Sequence, residues 1–244
     1  MDFQKRIGNL KRDAVFRLDG YYVWCGTMTC SDDGLYYLYF SFWEEALGFN
    51  AWVTHSKIGY AVGSDPFGKF EYRGIALDAG GGGFWDGDCV HNPSVIKHGG
   101  KYFLALRADH SGYIATSDDG LNFSHPYELV WENGESIGNY CTQQHWISLG
   151  EKLYLVYTRR GADNDNVFRH RAPLFIAELD TERMCLIRAT ETIAVPNRGA
   201  RLGNFGVSEI TPNRSVVSVT EWMQPLGCEK YGSDNSIWIT FVSE

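Results

Sequence analysis

The sequence predicts an all-β protein, a β-propeller of four-stranded antiparallel blades, and three observations support this prediction. A short aromatic-rich strand, preceded by a two-residue turn, recurs along the chain. A second phrase, which begins with Gly-Tyr and ends with Ser-Asp, occurs twice. Finally, no segment of useful length shows the 3.6-residue periodicity of an amphipathic helix.

The first repeat supplies strand B of each blade, counted outward from the propeller axis. It follows the dipeptides Asp33-Gly34, Gly99-Gly100 and Gly150-Glu151, which are typical of tight turns between antiparallel strands. The strands occupy residues 35–41, 101–107, 152–159 and, in a degenerate copy, 214–222. Their many Tyr and Phe residues suit the space between blades.

The second repeat supplies strand C at residues 59–65 and 112–118, and Phe70 and Phe123 then follow a turn, as expected of a C-to-D hairpin. Strand A of each blade is predicted to start near Trp24, His91, Gln143 and Asn204. This count gives four blades. Residues 236–242 are predicted as strand C of the last blade, and residues 14–17 as its strand D, which would close the ring.

Composition restricts the function. The 244 residues are 44% hydrophobic and fit a single propeller domain spanning 1–244. The net charge of -8 argues against a nucleic-acid or anionic-membrane partner, and no apolar run is long enough to cross a membrane. The six cysteines show no CxxC or zinc-type spacing and the start of the chain has no signal-peptide core, so we expect a cytoplasmic protein, or a secreted one whose signal was removed.

Antiparallel strands bring the start of strand A, the end of strand B and the B-to-C loop to one end of every blade, and reactive side chains concentrate there. Asp86 and Asp88 precede His91 at this end. Paired carboxylates are the groups that glycoside hydrolysis requires, one as proton donor and one as nucleophile or base. The alternative is that both aspartates cap turns after the Gly80–Gly83 run.

Arginines of the B-to-C loop of the third blade form a second candidate group. Guanidinium groups bind carboxylates by two-point contacts, so they indicate an anionic sugar, unless they pair with Asp163 and Asp165. The candidate substrate-binding residues are Trp24, Trp43, Asn92, Arg107, Gln144, Arg159, Arg169, Arg171 and Asn204.

His91 and His145 occupy equivalent positions at neighbouring strand A starts. They are candidates for acid-base groups, metal ligands or a hydrogen-bonded wall of the central funnel. Two histidines alone are a weak metal signal, so we expect no cofactor, with a central metal ion as the alternative.

The segment His91-Asn92-Pro93-Ser94, followed by Gly100-Lys101-Tyr102-Phe103-Leu104, resembles the His-Asp-Pro-Ser and Gly-Lys-Tyr-Tyr-Leu motif of the five-bladed furanosidase clan, the arabinanase and β-xylosidase-type glycoside hydrolases. Residues 117–123 are similar to a shortened Asp-box of sialidase-like propellers. The resemblance implies a propeller, with five blades as the family norm, and glycosidase activity. The aspartate of the clan motif is Asn92 in this chain.

The leading hypothesis is therefore a glycoside hydrolase acting on an oligo- or polysaccharide that can carry a carboxylate. Asp86 or Asp88 would serve as base or nucleophile, Glu221 as proton donor, and His91 and His145 would orient the substrate. The alternatives are a polysaccharide lyase acting on uronate-containing glycans and a non-catalytic glycan-binding propeller.

Overall fold

The computed structural model describes residues 16–66, 68–80, 88–108, 111–138, 143–164, 171–223 and 226–243. They form four antiparallel sheets arranged as the blades of a β-propeller, as the sequence repeats predict. The inner strands of successive blades contact one another in chain order. In these residues no helix is both long and apolar enough to span a membrane.

Blades 1 and 2 have the regular four-stranded pattern with neighbouring strands paired in sequence order. Blade 1 contains β1 (Tyr21–Cys30), β2 (Tyr36–Glu44), β3 (Lys57–Gly63) and β4 (Glu71–Leu77). A one-turn helix, α1 (Trp52–His55), lies in its B-to-C connection. Blade 2 contains β5 (His91–His98), β6 (Lys101–Ala108), β7 (Ser111–Ser117) and the two-residue β8 (Tyr127–Glu128).

Blades 3 and 4 depart from this pattern at their outer edges. Blade 3 contains β9 (His145–Leu149), β10 (Lys152–Tyr157), β11 (Leu174–Asp180), β12 (Cys185–Leu186) and β13 (Thr192–Val195), and both β12 and β13 pair with β11. Blade 4 contains β14 (Arg201–Thr211), β15 (Arg214–Trp222) and β16 (Ile237–Ser243).

The count of four blades is confirmed, but the predicted closure is not. Residues 14 and 15 of the expected outer strand lie outside the described residues. Phe16 and Arg17 are not in a strand, and the ring of Phe16 instead packs 4.7 Å from that of Phe40 on blade 1. The prediction is wrong for these two residues because Phe16 finds an apolar partner on the first blade.

Alternating strand residues form the cores between blades. Tyr39 and Leu104 pack between blades 1 and 2, Phe103 and Trp146 between blades 2 and 3, and Val217 lies in the core between blades 3 and 4. One face of β16 packs against the core between blades 3 and 4, whereas Ile237, Ile239 and Phe241 on its other face are 60–65% exposed. Three of the hydrophobic clusters among the described residues therefore lie between consecutive blades, and a fourth, built on Phe40, Phe42 and Ala61, lies on blade 1 with Phe16 packed against it.

The turn end of the blades consists of locally satisfied loops. Asp119 accepts hydrogen bonds from the backbone N–H groups of Leu121 and Asn122 at 2.7 and 2.8 Å, which hold its pKa well below its usual range. The hydroxyl of Tyr39 donates to the carbonyl oxygen of Gly120 and so joins blade 1 to this turn. These hydrogen bonds stabilise the turn and connect it to blade 1.

Candidate functional site

The opposite end collects the starts of the inner strands and the ends of their neighbours, as predicted. Strand register places Tyr22 beside Trp43 in blade 1, His91 beside Arg107 in blade 2, and Leu202 beside Glu221 in blade 4. The candidate residues thus come to this end through ordinary antiparallel pairing. What each side chain contacts there depends on the packing between blades.

His91 lies at the junction of blades 1 and 2 and is 6% exposed. Its Nδ1 lies 2.7 Å from the Oγ of Ser56, and its ring lies 6.0 Å from that of Trp43 and 5.2 Å from that of Trp52. Burial, and secondly the positive charge of Arg107, lower the pKa of His91 to about 4. His91 is therefore a neutral imidazole at pH 7.

An aromatic group surrounds this junction at the molecular surface. Trp43 is buried, at 2% exposure, whereas Trp24 and Phe49 are 45% and 47% exposed. The ring of Phe49 lies 5.8 Å from that of Trp24 and 6.0 Å from that of Trp43. Trp24 and Phe49, which we call the aromatic rim, are half-exposed, and Phe49 is connected to His91 through Trp43. Trp43 is buried behind them and is not exposed to stack on a ligand.

Asn92, the residue that replaces the aspartate of the clan motif, adopts a left-handed conformation with φ of 54°. Its backbone N–H donates to the Oγ of Ser41 on blade 1 at 2.9 Å. Its side-chain Oδ1 is buried without a hydrogen-bond partner among the described residues. An unpaired buried carbonyl is costly unless a ligand or a water molecule satisfies it, so Asn92 has an acceptor to offer at this site.

Gln143 links blade 3 to blade 1. Its Nε2 donates to the Sγ of Cys25 at 3.1 Å, and Cys25 has a φ of 50° at an irregularity of β1. Burial raises the pKa of the Cys25 thiol to about 11, although the hydrogen bond from Gln143 opposes this. Cys25 is therefore a neutral thiol, and the contact joins the two blades on opposite sides of the axis.

His145 and Gln144 lie at the start of the third blade. The ring of His145 meets that of Phe205 of blade 4 edge-on at 4.9 Å, and burial lowers the pKa of His145 to about 4, opposed by a hydrogen bond with the backbone of Phe205. Gln144 is 2% exposed. His91 and His145 thus belong to different junctions, between blades 1 and 2 and between blades 3 and 4.

Two of the predicted arginines have partners within the protein. Arg159 forms a two-point ion pair with Glu191, with Nε–Oε1 and Nη2–Oε2 distances of 2.7 Å, and it covers the ring of Phe175. Arg171 donates from Nη1 to Oδ1 of Asn204 at 2.5 Å. The partner of Arg159 is Glu191 and not the predicted Asp163, and Asp165 lies outside the described residues. Arg169 lies outside the described residues.

Glu221 is enclosed by blade 4 and is 1% exposed. Its Oε1 lies 3.0 Å from Nε of Arg198 and accepts a 3.2 Å hydrogen bond from Nε1 of Trp238, while its Oε2 accepts one from the backbone N–H of Asp234 at 2.9 Å. These contacts engage both carboxylate oxygens of Glu221 within blade 4. The role of Glu221 as a proton donor stays a prediction.

The predicted carboxylate pair is represented by one member. Asp88 is exposed, three residues before His91 and two before the buried Val90. Asp86 lies outside the described residues. Over the described part of the chain, no group of three or more His, Cys, Asp or Glu side chains is arranged to hold a metal ion.

The B-to-C connection of blade 1 supplies three residues of this region. Trp52 and Ser56 contact His91, and Phe49 belongs to the aromatic rim. The position of this connection at the reactive end of the blade predicts that its aromatic residues lie near the site. Nothing in the sequence singles out Ser56, which contacts a residue 35 positions away.

Comparisons with known proteins identify the fold. No model of a protein family matches the sequence, and no curated protein sequence matches it. Solved structures do match. A family 117 glycoside hydrolase from the marine bacterium Zobellia galactanivorans has a TM-score of 0.63 at 13% identity, over 95% of this chain and 71% of that chain.

An endo-arabinase from Bacteroides thetaiotaomicron gives a TM-score of 0.58 at 13% identity, over 89% of this chain and 73% of that chain. A family 43 β-xylosidase/α-arabinofuranosidase from a compost microbial metagenome, in complex with xylotriose, gives a TM-score of 0.52 at 18% identity, over 91% of this chain and 69% of that chain. The likeness to this type of propeller is confirmed at the level of the fold, with four blades in the described residues, as the repeats predict, where the family norm implied five. The expected likeness to sialidases finds no support in these structures.

Proposed function

We propose that this protein is a glycoside hydrolase whose carbohydrate substrate, an oligo- or polysaccharide, binds at the junction of blades 1 and 2. The observation that carries the proposal is the aromatic rim: Trp24 and Phe49 are half-exposed, and Trp43 connects them to the buried, neutral His91. Aromatic rings in such a setting bind the apolar faces of sugar rings, and adjacent neutral polar groups bind their hydroxyls. The fold shared with glycoside hydrolases supports the same assignment.

In this proposal Asp88 supplies the reacting carboxylate, as base or nucleophile, because it is exposed close to His91. Asn92 binds a sugar hydroxyl through its unpaired Oδ1. Arg107, the register partner of His91 on β6, would contact a substrate carboxylate. Glu221 and Arg159 have structural roles, since each carries an ion pair inside its own part of the fold.

The test measures binding and hydrolysis of xylo-, arabino-, β-1,3-galacto- and uronate-containing oligosaccharides by calorimetry and by release of reducing ends. Trp24→Ala is expected to weaken the binding of the best ligand about 3- to 10-fold, which is the effect of one lost aromatic contact. Met28→Ala is the matched control, because Met28 is a similarly exposed residue of the same strand.

Asp88→Asn is expected to abolish hydrolysis while glycan binding and the unfolding midpoint stay unchanged. The second candidate function, a glycan-binding propeller without activity, is favoured by the neutral character of Asn92, His91 and His145. Binding by the wild type without any release of reducing ends would select it. If no glycan of the panel binds, the proposal is wrong.

A further inference from the structure

We infer that Ser56 is a positioning residue that holds His91 in the tautomer with its proton on Nε2, so that His91 offers the substrate a hydrogen-bond donor. The inference deepens the proposed function and rests on it for the identity of the ligand as a glycan. The arrangement of Ser56 and His91 is itself a property of the ligand-free protein.

The first support is the geometry of the contact. The Oγ of Ser56 lies 2.7 Å from Nδ1 of His91, and Ser56 is 0% exposed. Ser56 directly follows α1, and its carbonyl oxygen accepts a 3.0 Å hydrogen bond from the backbone N–H of Val90, the residue before His91. Two hydrogen bonds therefore tie Ser56 of blade 1 to the start of β5 in blade 2, which fixes both the hydroxyl and the imidazole.

The direction of the hydrogen bond follows from counting donors and acceptors. Within the described residues, Nδ1 of His91 is the hydrogen-bond partner of the Ser56 hydroxyl. If Nδ1 carried the ring proton, the hydroxyl would accept it, and the hydroxyl's own proton would be buried without an acceptor. A buried unsatisfied donor is costly. The favoured arrangement has Ser56 donating to Nδ1, which leaves the ring proton on Nε2.

The surroundings of the ring keep it neutral and oriented. Trp43 and Trp52 pack against it at 6.0 and 5.2 Å, and Arg107 is its register partner on β6. A second ring proton would be desolvated by the two indoles and repelled by the guanidinium, in agreement with the lowered pKa of His91. The imidazole is therefore a fixed neutral donor.

This assignment narrows the chemistry of His91. With Nδ1 occupied by Ser56 and Nε2 already protonated, His91 has no lone pair available to accept a proton from a substrate. It orients the glycan by donating to a hydroxyl, ring or carboxylate oxygen. Ser56 acts through His91 and does not contact the substrate.

The first experiment is independent of any ligand. Long-range ¹H–¹⁵N correlation spectra of the ¹⁵N-labelled protein at pH 7 are expected to show a pyridine-type Nδ1 and a pyrrole-type Nε2 for His91, assigned by the loss of these signals in His91→Gln. The reverse pattern, or an imidazolium pattern, would overturn the inference even if the protein binds glycans.

The second experiment tests the effect on binding. Ser56→Ala is expected to weaken the best glycan about 3- to 10-fold, as for one misplaced neutral hydrogen bond, and to move both His91 nitrogen signals toward tautomer-averaged positions. Ser56→Thr, which keeps the hydroxyl, is expected to restore them. Ser117→Ala is the buried-serine control at the turn end and should leave the His91 signals and binding unchanged. Wild-type affinity and signals in Ser56→Ala would refute the positioning role.

Discussion

Replacing Glu221 by alanine is expected to lower the free energy of unfolding by about 3–5 kcal/mol, the usual cost of removing one partner from a buried ion pair. The carboxylate is 1% exposed and contacts Arg198, Trp238 and the backbone of Asp234. Its removal leaves the indole N–H of Trp238 without its acceptor and takes one carboxylate from Arg198, which keeps its contacts with Asp234 and the carbonyl oxygen of Gly232. It also releases the segment that joins β15 to β16, which Asp234 anchors.

The conservative variant separates charge from shape. Glu221→Gln keeps the size and one carbonyl oxygen, but its amide NH₂ must face at least one N–H donor, so we expect a loss of about 1–3 kcal/mol. Asp234→Asn is the matched control. Asp234 also pairs with Arg198, at 3.1 Å, but its side chain is 61% exposed and its ion pair is screened by solvent, so this variant should lose much less stability than Glu221→Ala.

The assay is urea unfolding at pH 7, followed by tryptophan fluorescence and circular dichroism, with free energies taken by linear extrapolation. A loss of less than 1 kcal/mol in Glu221→Ala would refute the structural assignment. Activity adds a second criterion: if Glu221→Gln folds normally and binds glycan but no longer hydrolyses it, Glu221 is the proton donor that the sequence predicted.

Three further outcomes are expected from the same unfolding assay. The pKa of His91 is about 6.5 in the unfolded chain and about 4 in the folded protein, so the free energy of unfolding falls as the pH falls through this window. His91→Gln should remove about 2 kcal/mol of the stability loss between pH 7 and 4.5, and an unchanged loss would contradict the lowered pKa. Asp119→Ala removes an acceptor of two backbone N–H groups and should cost about 1–3 kcal/mol, whereas Asp119→Asn keeps that acceptor and should cost less than half as much; equal losses would argue against the hydrogen bonds. Gly59→Ala places a Cβ 2.9 Å from the ring of Phe42 and 3.0 Å from that of Phe40, so it should cost about 1–3 kcal/mol by overpacking; a neutral result would show that the rings can move.

The strands could be predicted from the sequence because their signals are local. Turn dipeptides and aromatic alternation place β6 and β10 within a few residues of their observed bounds. The outer strands of the blades are harder to predict from the sequence. Strand β8 has two residues and β16 has a free edge in the described chain, because an outer strand depends less on its own residues than on what lies beside it.

The sequence predicts where most of the candidate site residues lie, but it does not predict which side chains they contact. Sequence order predicts that His91, Arg107 and Trp43 lie at one end of the blades, and strand register agrees. It does not predict that Arg159 pairs with Glu191, since those residues are 32 positions apart, one after the end of β10 and the other before the start of β13. The sequence therefore predicts that Arg159 binds an anionic sugar, because nothing near it in the chain identifies Glu191 as its partner.

The amino-acid order alone establishes the repeated strand-turn unit, the number of blades and the end of each blade at which reactive side chains gather, because all three follow from short-range alternation and turn geometry. Which of those side chains remain available for a ligand is settled when the blades pack. Burial makes His91 neutral, Arg198 occupies Glu221, and Trp24 stays exposed while Trp43 does not. Desolvation and ion pairing arise between residues far apart in the chain, so they exist only once the blades meet.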